Sequence, residues 1–231
     1  MAIVMHDLAG ANPALRFSPY CWRIRMALAH KDLPVRTVPW RFSDKQALAF
    51  SGQGRVPVIK DGNKVISDSW AIATYLEERY DDRPTLFGCE MGRAHALFLN
   101  AWADEIMHPA IARLIVRDVV DVLDPKDRPY FRKSREDRFG MKLDQVQAGR
   151  DERLPEFRAA LAPLRTVLDR QEWFGGTDGP SYADYIVFGA FMWVRCASRF
   201  ELLVPDDPLA VWRLRMLDLF GGLARAAPAA A

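Results

Sequence analysis

Apolar and polar positions change their rhythm once along this chain. Over residues 3 to about 80, short β-branched runs alternate with helical stretches, the pattern of a βαβ unit followed by a hairpin and a closing helix. Ile3-Val4-Met5 reads as the first strand. Residues 21–30 read as a helix with Ile24, Ala27 and Leu28 on its apolar face, and residues 35–38 as a second strand parallel to the first. Val56-Pro57-Val58-Ile59 and Lys64-Val65-Ile66, joined by Asp61-Gly62-Asn63, read as an antiparallel hairpin, because Asp-Gly supplies the turn. Residues 69–80 form the closing helix.

Asp81-Asp82-Arg83-Pro84 is a polar, proline-bearing break suited to a linker. Beyond it the pattern is helical throughout. Residues 91–124 make one long run with a kink expected at Pro109, which cannot donate to the helix ladder. Further helices are expected over residues 130–150, 155–170, 181–198 and 208–224, and the small residues 226–231 are expected to fray. The expected organisation is an α/β domain over residues 1–81 and an all-α domain over residues 91–231.

Composition narrows the function. At 231 residues, half of them apolar, the chain can build one large core or two small ones. Its 32 basic and 30 acidic residues are interspersed, with a formal net charge of +2. No field for nucleic acid or an anionic membrane results. Residues 1–7 show no basic segment leading into a long apolar run, and no run is long enough to span a bilayer, so the reading is cytoplasmic. Cys21, Cys89 and Cys196 are odd in number, widely spaced and form no CxxC. Reduced thiols are expected, with neither a disulfide framework nor a zinc site. His6, His30, His95 and His108 lack metal-ligand spacing, so no metal is expected. Residues 132–138 mix charges at helical spacing, as a solvated face does.

The candidate chemistry begins at Ser18-Pro19-Tyr20-Cys21. Serine before a proline at the first helical position is a favoured N-cap. The same place puts its hydroxyl where the exposed N–H groups and the helix dipole favour an anion such as a thiolate. Cys21 would face the helix interior without an attacking cysteine to resolve, and reads as packing. Pro57 alone is a proline at a permitted strand start. Asp68 and Ser69 read as caps for the following helix. They also offer a carboxylate for an ammonium group, and a hydroxyl with helix N–H groups for a carboxylate. Arg55 can reach a second carboxylate or stay solvated. Ser181-Tyr182-Ala183-Asp184 is a capping box, and its role is structural.

Together, Ser18-Pro19-Tyr20-Cys21, Arg55-Val56-Pro57-Val58-Ile59, Asp68-Ser69-Trp70 and the Ser-x-Ala-Asp box resemble the cytosolic glutathione transferases in order and spacing, over nearly the whole chain. The first motif is similar to the CPYC redox site of thioredoxin-fold proteins with its first cysteine replaced by serine. A cysteine there attacks disulfides as a thiolate. A serine hydroxyl instead donates to the thiolate of bound glutathione and favours the ionised sulfur. Tyr75-Leu76, Asp82-Arg83-Pro84 and Leu143-Asp144-Gln145-Val146-Gln147-Ala148-Gly149-Arg150 add a resemblance to the bacterial β-aryl-etherase branch and its fungal relatives. That branch uses glutathione thiolate to displace phenoxide from lignin-type ethers.

The resemblance implies a thioredoxin-like N-terminal domain, an all-helical C-terminal domain and a homodimer. Ser18 would hold the thiolate, and a cis Val56–Pro57 peptide would present the Val56 backbone to the cysteinyl backbone. Asp68 with Ser69 would hold the γ-glutamyl end, and Arg55 the glycyl carboxylate. The co-substrate would be an apolar, aromatic electrophile, as in detoxification, lying against the long helix with Trp102, Ile106, Met107 and Ile111 as candidates by position. Asn12, in the loop of residues 10–17, is a candidate second donor to the sulfur. A non-catalytic ligand-binding module on the same fold is the alternative. A glutaredoxin-type oxidoreductase is disfavoured by the serine at position 18.

Overall fold

A computed structural model describes residues 2–176 and 178–230 of the chain. Strand β1 (Ile3–Leu8) buries Ile3 and Met5 while Val4 and His6 are partly exposed, the period of two that a half-buried strand requires. It pairs in parallel with β2 (Val35–Trp40), from Ile3 opposite Val35 to Leu8 opposite Trp40. On its other side it pairs antiparallel with β3 (Val58–Asp61), which turns at Gly62 and Asn63 into β4 (Lys64–Ser67). The spatial order is β2-β1-β3-β4. Helix α1 (Pro19–His30) makes the crossover and α2 (Ser69–Arg79) follows the hairpin. This is the expected thioredoxin-like unit. Both parallel strands outrun their apolar cores, because main-chain pairing continues past His6, Asp7 and Pro39.

The helical half begins with α3 (Glu90–Trp102) and α4 (His108–Val122), joined by a π-helical turn over Ala103–Met107. The kink expected at Pro109 takes this form. Pro109 has no N–H for the carbonyl four residues back, and the His108 N–H donates to the Ala103 carbonyl, five residues back. Two expected helices are each divided. Residues 130–150 hold α5 (Arg128–Phe139), stopped by Gly140 at φ 69°, and α6 (Leu143–Gln147). Residues 155–170 hold the end of α7 (Arg150–Ala160), which runs through Pro155, and then α8 (Ala162–Leu168). Helices α9 (Tyr182–Ala197) and α10 (Pro208–Gly222) lie where the pattern placed them, although α10 breaks at Leu219, Phe220 and Gly221.

The tail does not fray as expected. Arg195 donates to the carbonyls of Arg225 and Ala227, and the Ala230 N–H returns a bond to the Arg195 carbonyl. Met1 and Ala231, included in the readings of the two ends, lie outside the described residues. Among those residues no helix is long and apolar enough to cross a membrane.

The core is organised around α9, whose residues from Tyr182 to Met192 are all buried. The capping box works as expected. Asp184 accepts from the N–H groups of Ser181 (2.9 Å), Phe174 (2.8 Å) and Gly175 (3.2 Å) and from the Trp212 indole (3.0 Å). The α9 backbone lies directly on the first turn of α1. A Cβ at Gly189 would stand 2.4 Å from the Pro19 carbonyl oxygen and 3.2 Å from Arg23 Cγ. Overpacking at such a contact costs about 1–3 kcal/mol. Gly189→Ala is therefore expected to lower the midpoint of thermal unfolding by several degrees, and an unchanged midpoint would show that α1 and α9 can part without cost.

Candidate active site at the end of the sheet

Strand register gathers most of the sequence-predicted residues at one end of the sheet. His6 faces Val58, and Val58 faces Ser67. Continuing both ladders one step sets Pro57 beside Asp7 and Asp68 beside Pro57. Phe17 donates to the Leu8 carbonyl at 3.4 Å, so Ser18 follows at that same end of β1. The carboxyl end of a central strand facing a helix N-terminus is where open α/β sheets bind ligands.

Ser18 is 4% exposed and caps α1 with extended dihedrals (φ −72°, ψ 124°). Its Oγ accepts from the Cys21 N–H at 3.3 Å, and this cap leaves the hydroxyl's own hydrogen unspent. The Val56–Pro57 peptide is cis, and Val56 lies ahead of Val58, the first paired residue of β3. Asp68 holds φ 77°, ψ 133°, a region that non-glycine residues rarely adopt and that recurs at ligand clamps. Its Oδ1 accepts from the Trp70 and Ala71 N–H groups at 2.9 and 3.0 Å, which leaves Oδ2 outside the cap. Ser69 is buried, and its carbonyl accepts from the Tyr182 hydroxyl at 2.9 Å, tying the start of α2 to α9.

Arg55 and Asn12 lie on the surface. Arg55 is exposed, and its charge bears on Arg135 in α5. Asn12 is exposed and its Oδ1 accepts from the Ala14 N–H, so it shapes its own loop. The apolar candidates divide as well. Met107 and Ile111 are core residues at 1% and 0% exposure, Trp102 is half-buried, and Ile106 is exposed. Among the described residues no group of His, Cys, Asp and Glu could hold a metal ion.

Facing α1 is a polar cluster that sequence reasoning missed. Arg23, without solvent access, donates to Asn100 Oδ1 (2.7 Å) and Asp104 Oδ1 (2.8 Å). The same Asp104 oxygen is 3.3 Å from His108 Nδ1, which is 3.3 Å from the Tyr20 hydroxyl. Burial pushes the Asp104 carboxyl up, but bonds from His108 and Arg23 outweigh it and leave the group below its usual value. Burial lowers the His108 imidazole, with Asp104 opposing. Asp104 and His108 are one turn apart across the π turn, and this spacing was the available signal.

Beneath Ser18, Asp7 is fully buried with neither carboxylate oxygen hydrogen-bonded, and Arg16 and Arg25 stand 3.7 and 3.8 Å away. Burial raises its pKa against the pull of both arginines. Burial, then the Asp7 charge, pushes the neighbouring Cys21 thiol well up.

Family models match both halves of the chain: the glutathione S-transferase N-terminal domain over residues 13–84 and the glutathione S-transferase C-terminal domain over residues 94–201. A glutathione S-transferase zeta class protein of Euphorbia esula is 33% identical over 113 residues, 47% of this chain. That match spans about half, 48%, of the relative's length. A crystal structure of a glutathione S-transferase of Ceriporiopsis subvermispora in complex with glutathione superposes with a TM-score of 0.81 at 27% identity, covering 100% of both chains. A glutathione transferase of Phanerochaete chrysosporium gives 0.77 at 27% identity, covering 96% of this chain and 92% of that one.

The thiols separate by accessibility. Cys21 and Cys196 are buried, and burial pushes Cys196 up to about 12. Cys89 is exposed at the start of α3. Iodoacetamide should therefore alkylate only Cys89 in the native protein and reach the other two only after denaturation. Peptide mass mapping checks this, and native labelling of Cys21 would contradict its packing role.

Proposed function

The chain belongs to the glutathione S-transferase family, and we propose that it binds glutathione at the end of the sheet and activates its thiolate for attack on an apolar, aromatic electrophile. The observation that carries this reading is the Ser18 hydroxyl, buried at the N-terminus of α1 with its own hydrogen not used by the cap. A thiolate there meets a charge-assisted donor and the positive end of the helix, both of which lower its pKa. The proton released on binding goes to solvent, and the sulfur lone pair forms the new bond to carbon. The protein supplies position and electrostatics.

The Val56 main chain offers an N–H and a C=O to the cysteinyl backbone of glutathione. Asp68 Oδ2 receives the γ-glutamyl ammonium, and Ser69 with the first N–H groups of α2 receives its carboxylate. Arg55, exposed beside Val56, pairs with the glycyl carboxylate. The electrophile enters on the side of Tyr20 and the half-buried Trp102, and β-aryl ethers are within its class. The complex of the Ceriporiopsis protein with glutathione supports the ligand.

The same reading makes the protein a homodimer of two-domain subunits, divided at residues 1–81 and 91–231. Helix α3 supports it: Met91 (77% exposed), Leu97 (51%) and Phe98 (66%) form an apolar stripe at helical spacing.

Two outcomes are expected. Ser18→Ala should lower kcat by about 100-fold while leaving glutathione affinity, measured by titration calorimetry, largely intact. Unchanged turnover would remove the role of Ser18, and absence of glutathione binding by the wild type would favour a ligand-binding module. Phe98→Asp should convert the dimer to a monomer in sedimentation equilibrium, with the far-ultraviolet circular dichroism unchanged.

A further inference from the structure

Tyr20 stands in the first turn of α1, two residues beyond Ser18. Its Oη has His108 Nδ1 as neighbour at 3.3 Å, and that nitrogen also faces Asp104 Oδ1 at 3.3 Å. An ionised carboxylate only accepts, so the proton of the neutral imidazole belongs on Nδ1, the tautomer that this network assigns. The buried Nε2, which has no partner, is then the bare nitrogen. With the Nδ1 hydrogen directed at Asp104, that nitrogen offers Tyr20 no lone pair, so the tyrosine O–H finds no acceptor there and its hydrogen is uncommitted on a side chain 36% exposed.

The ring is held from two more sides. It meets His108 edge-on at 5.2 Å between centroids, and the buried Arg23 guanidinium lies 4.8 Å from its centre. Burial, then the Asp104 charge, raises the phenol above its usual value, so it remains protonated at neutral pH. The charges of Arg138 in α5 and of Asp68 also act on it. A preorganised neutral donor beside a nucleophile serves the place where negative charge develops.

We propose that Tyr20 donates this hydrogen bond to an oxygen of the electrophile that gains charge as the thiolate attacks, so that the enzyme prefers enones and aryl ethers to alkyl halides. The proposal rests on the glutathione reading above. With an enone, the sulfur lone pair forms an S–C bond at the β carbon, the C=C pair moves to give the enolate, and the carbonyl oxygen takes the charge and the Tyr20 bond. The α carbon then regains, through water, the proton lost by the thiol. With an aryl ether, S–C bond formation breaks the C–O bond, whose pair leaves on the phenoxide oxygen; that oxygen takes the same bond and then a proton from water. A benzyl halide releases halide and places no charge on oxygen.

The test compares wild type with Tyr20→Phe, both saturated with glutathione, on benzylideneacetone and on benzyl chloride. Phenylalanine keeps the ring contacts and removes only the donor. Turnover of the enone should fall by about 10- to 100-fold and that of benzyl chloride by less than about twofold, with glutathione binding by calorimetry unchanged. A structural role would slow both reactions together, and such parallel losses, or no loss on either, would overturn the proposal. So would a wild type that consumes benzyl chloride and not the enone. A wild type that binds no glutathione would remove the underlying reading, and the role of Tyr20 with it.

Discussion

A guanidinium without solvent access must be neutralised where it lies, and the pairing of Arg23 with Asp104 does this across the two halves of the molecule. Breaking a buried pair leaves an uncompensated charge, a cost of about 3–5 kcal/mol. The pair therefore fixes α1 against the π turn, and Asn100 fixes its angle by taking the second guanidinium nitrogen. Gly189 supplies the complementary condition, since only a bare α carbon lets α9 lie on the Pro19 carbonyl. Ser18 and Tyr20 are carried on the same helical turn. The site thus inherits its geometry from an interaction one turn away.

Two sulfur environments meet at that turn. The N-terminus of α1 favours an anion that approaches from outside, where Ser18 and the first N–H groups face. Cys21, the third residue of α1, meets the opposite condition: it is fully buried and adjoins a buried carboxyl, so its thiol stays protonated. Desolvation outweighs the dipole over a few ångströms. The chain can thereby keep a cysteine beside a thiolate-favouring site without gaining a nucleophile of its own.

The change of period, the Asp-Gly turn and the capping box at Ser181 made the fold legible, because each is a local preference that tertiary packing reinforces. Ser18 and Asp68 were legible for the same reason, since they cap helices whatever else they do, whereas Ser69, read as a second cap, is the first residue of α2 itself. The rest depended on distant partners. Arg195 anchors a tail of small residues about 30 positions away, and nothing in the alanines signals it. Met107 and Ile111 follow the apolar period of the long helix but lie in the core, and periodicity does not separate a core from a cleft. The break at Gly140 fell in a highly charged helix with little apolar rhythm to lose. Tyr20, His108 and Asp104 come together only because α1 crosses the π turn.

The π turn at Ala103–Met107 also bears on how such a chain can diverge. A wide turn of this kind amounts to one residue inserted into an α-helix. Deleting a single position there would close the turn into a regular α-helix whose flanking segments keep their phase, so that the residues of the turn itself, Asp104 among them, change the face they present to α1. Single-residue gains and losses at this point would therefore exchange the wall opposite the serine while leaving the sheet and its caps intact. Length variation by one in the long helix is a route by which lineages on this scaffold could acquire new substrate preferences without rebuilding a pocket.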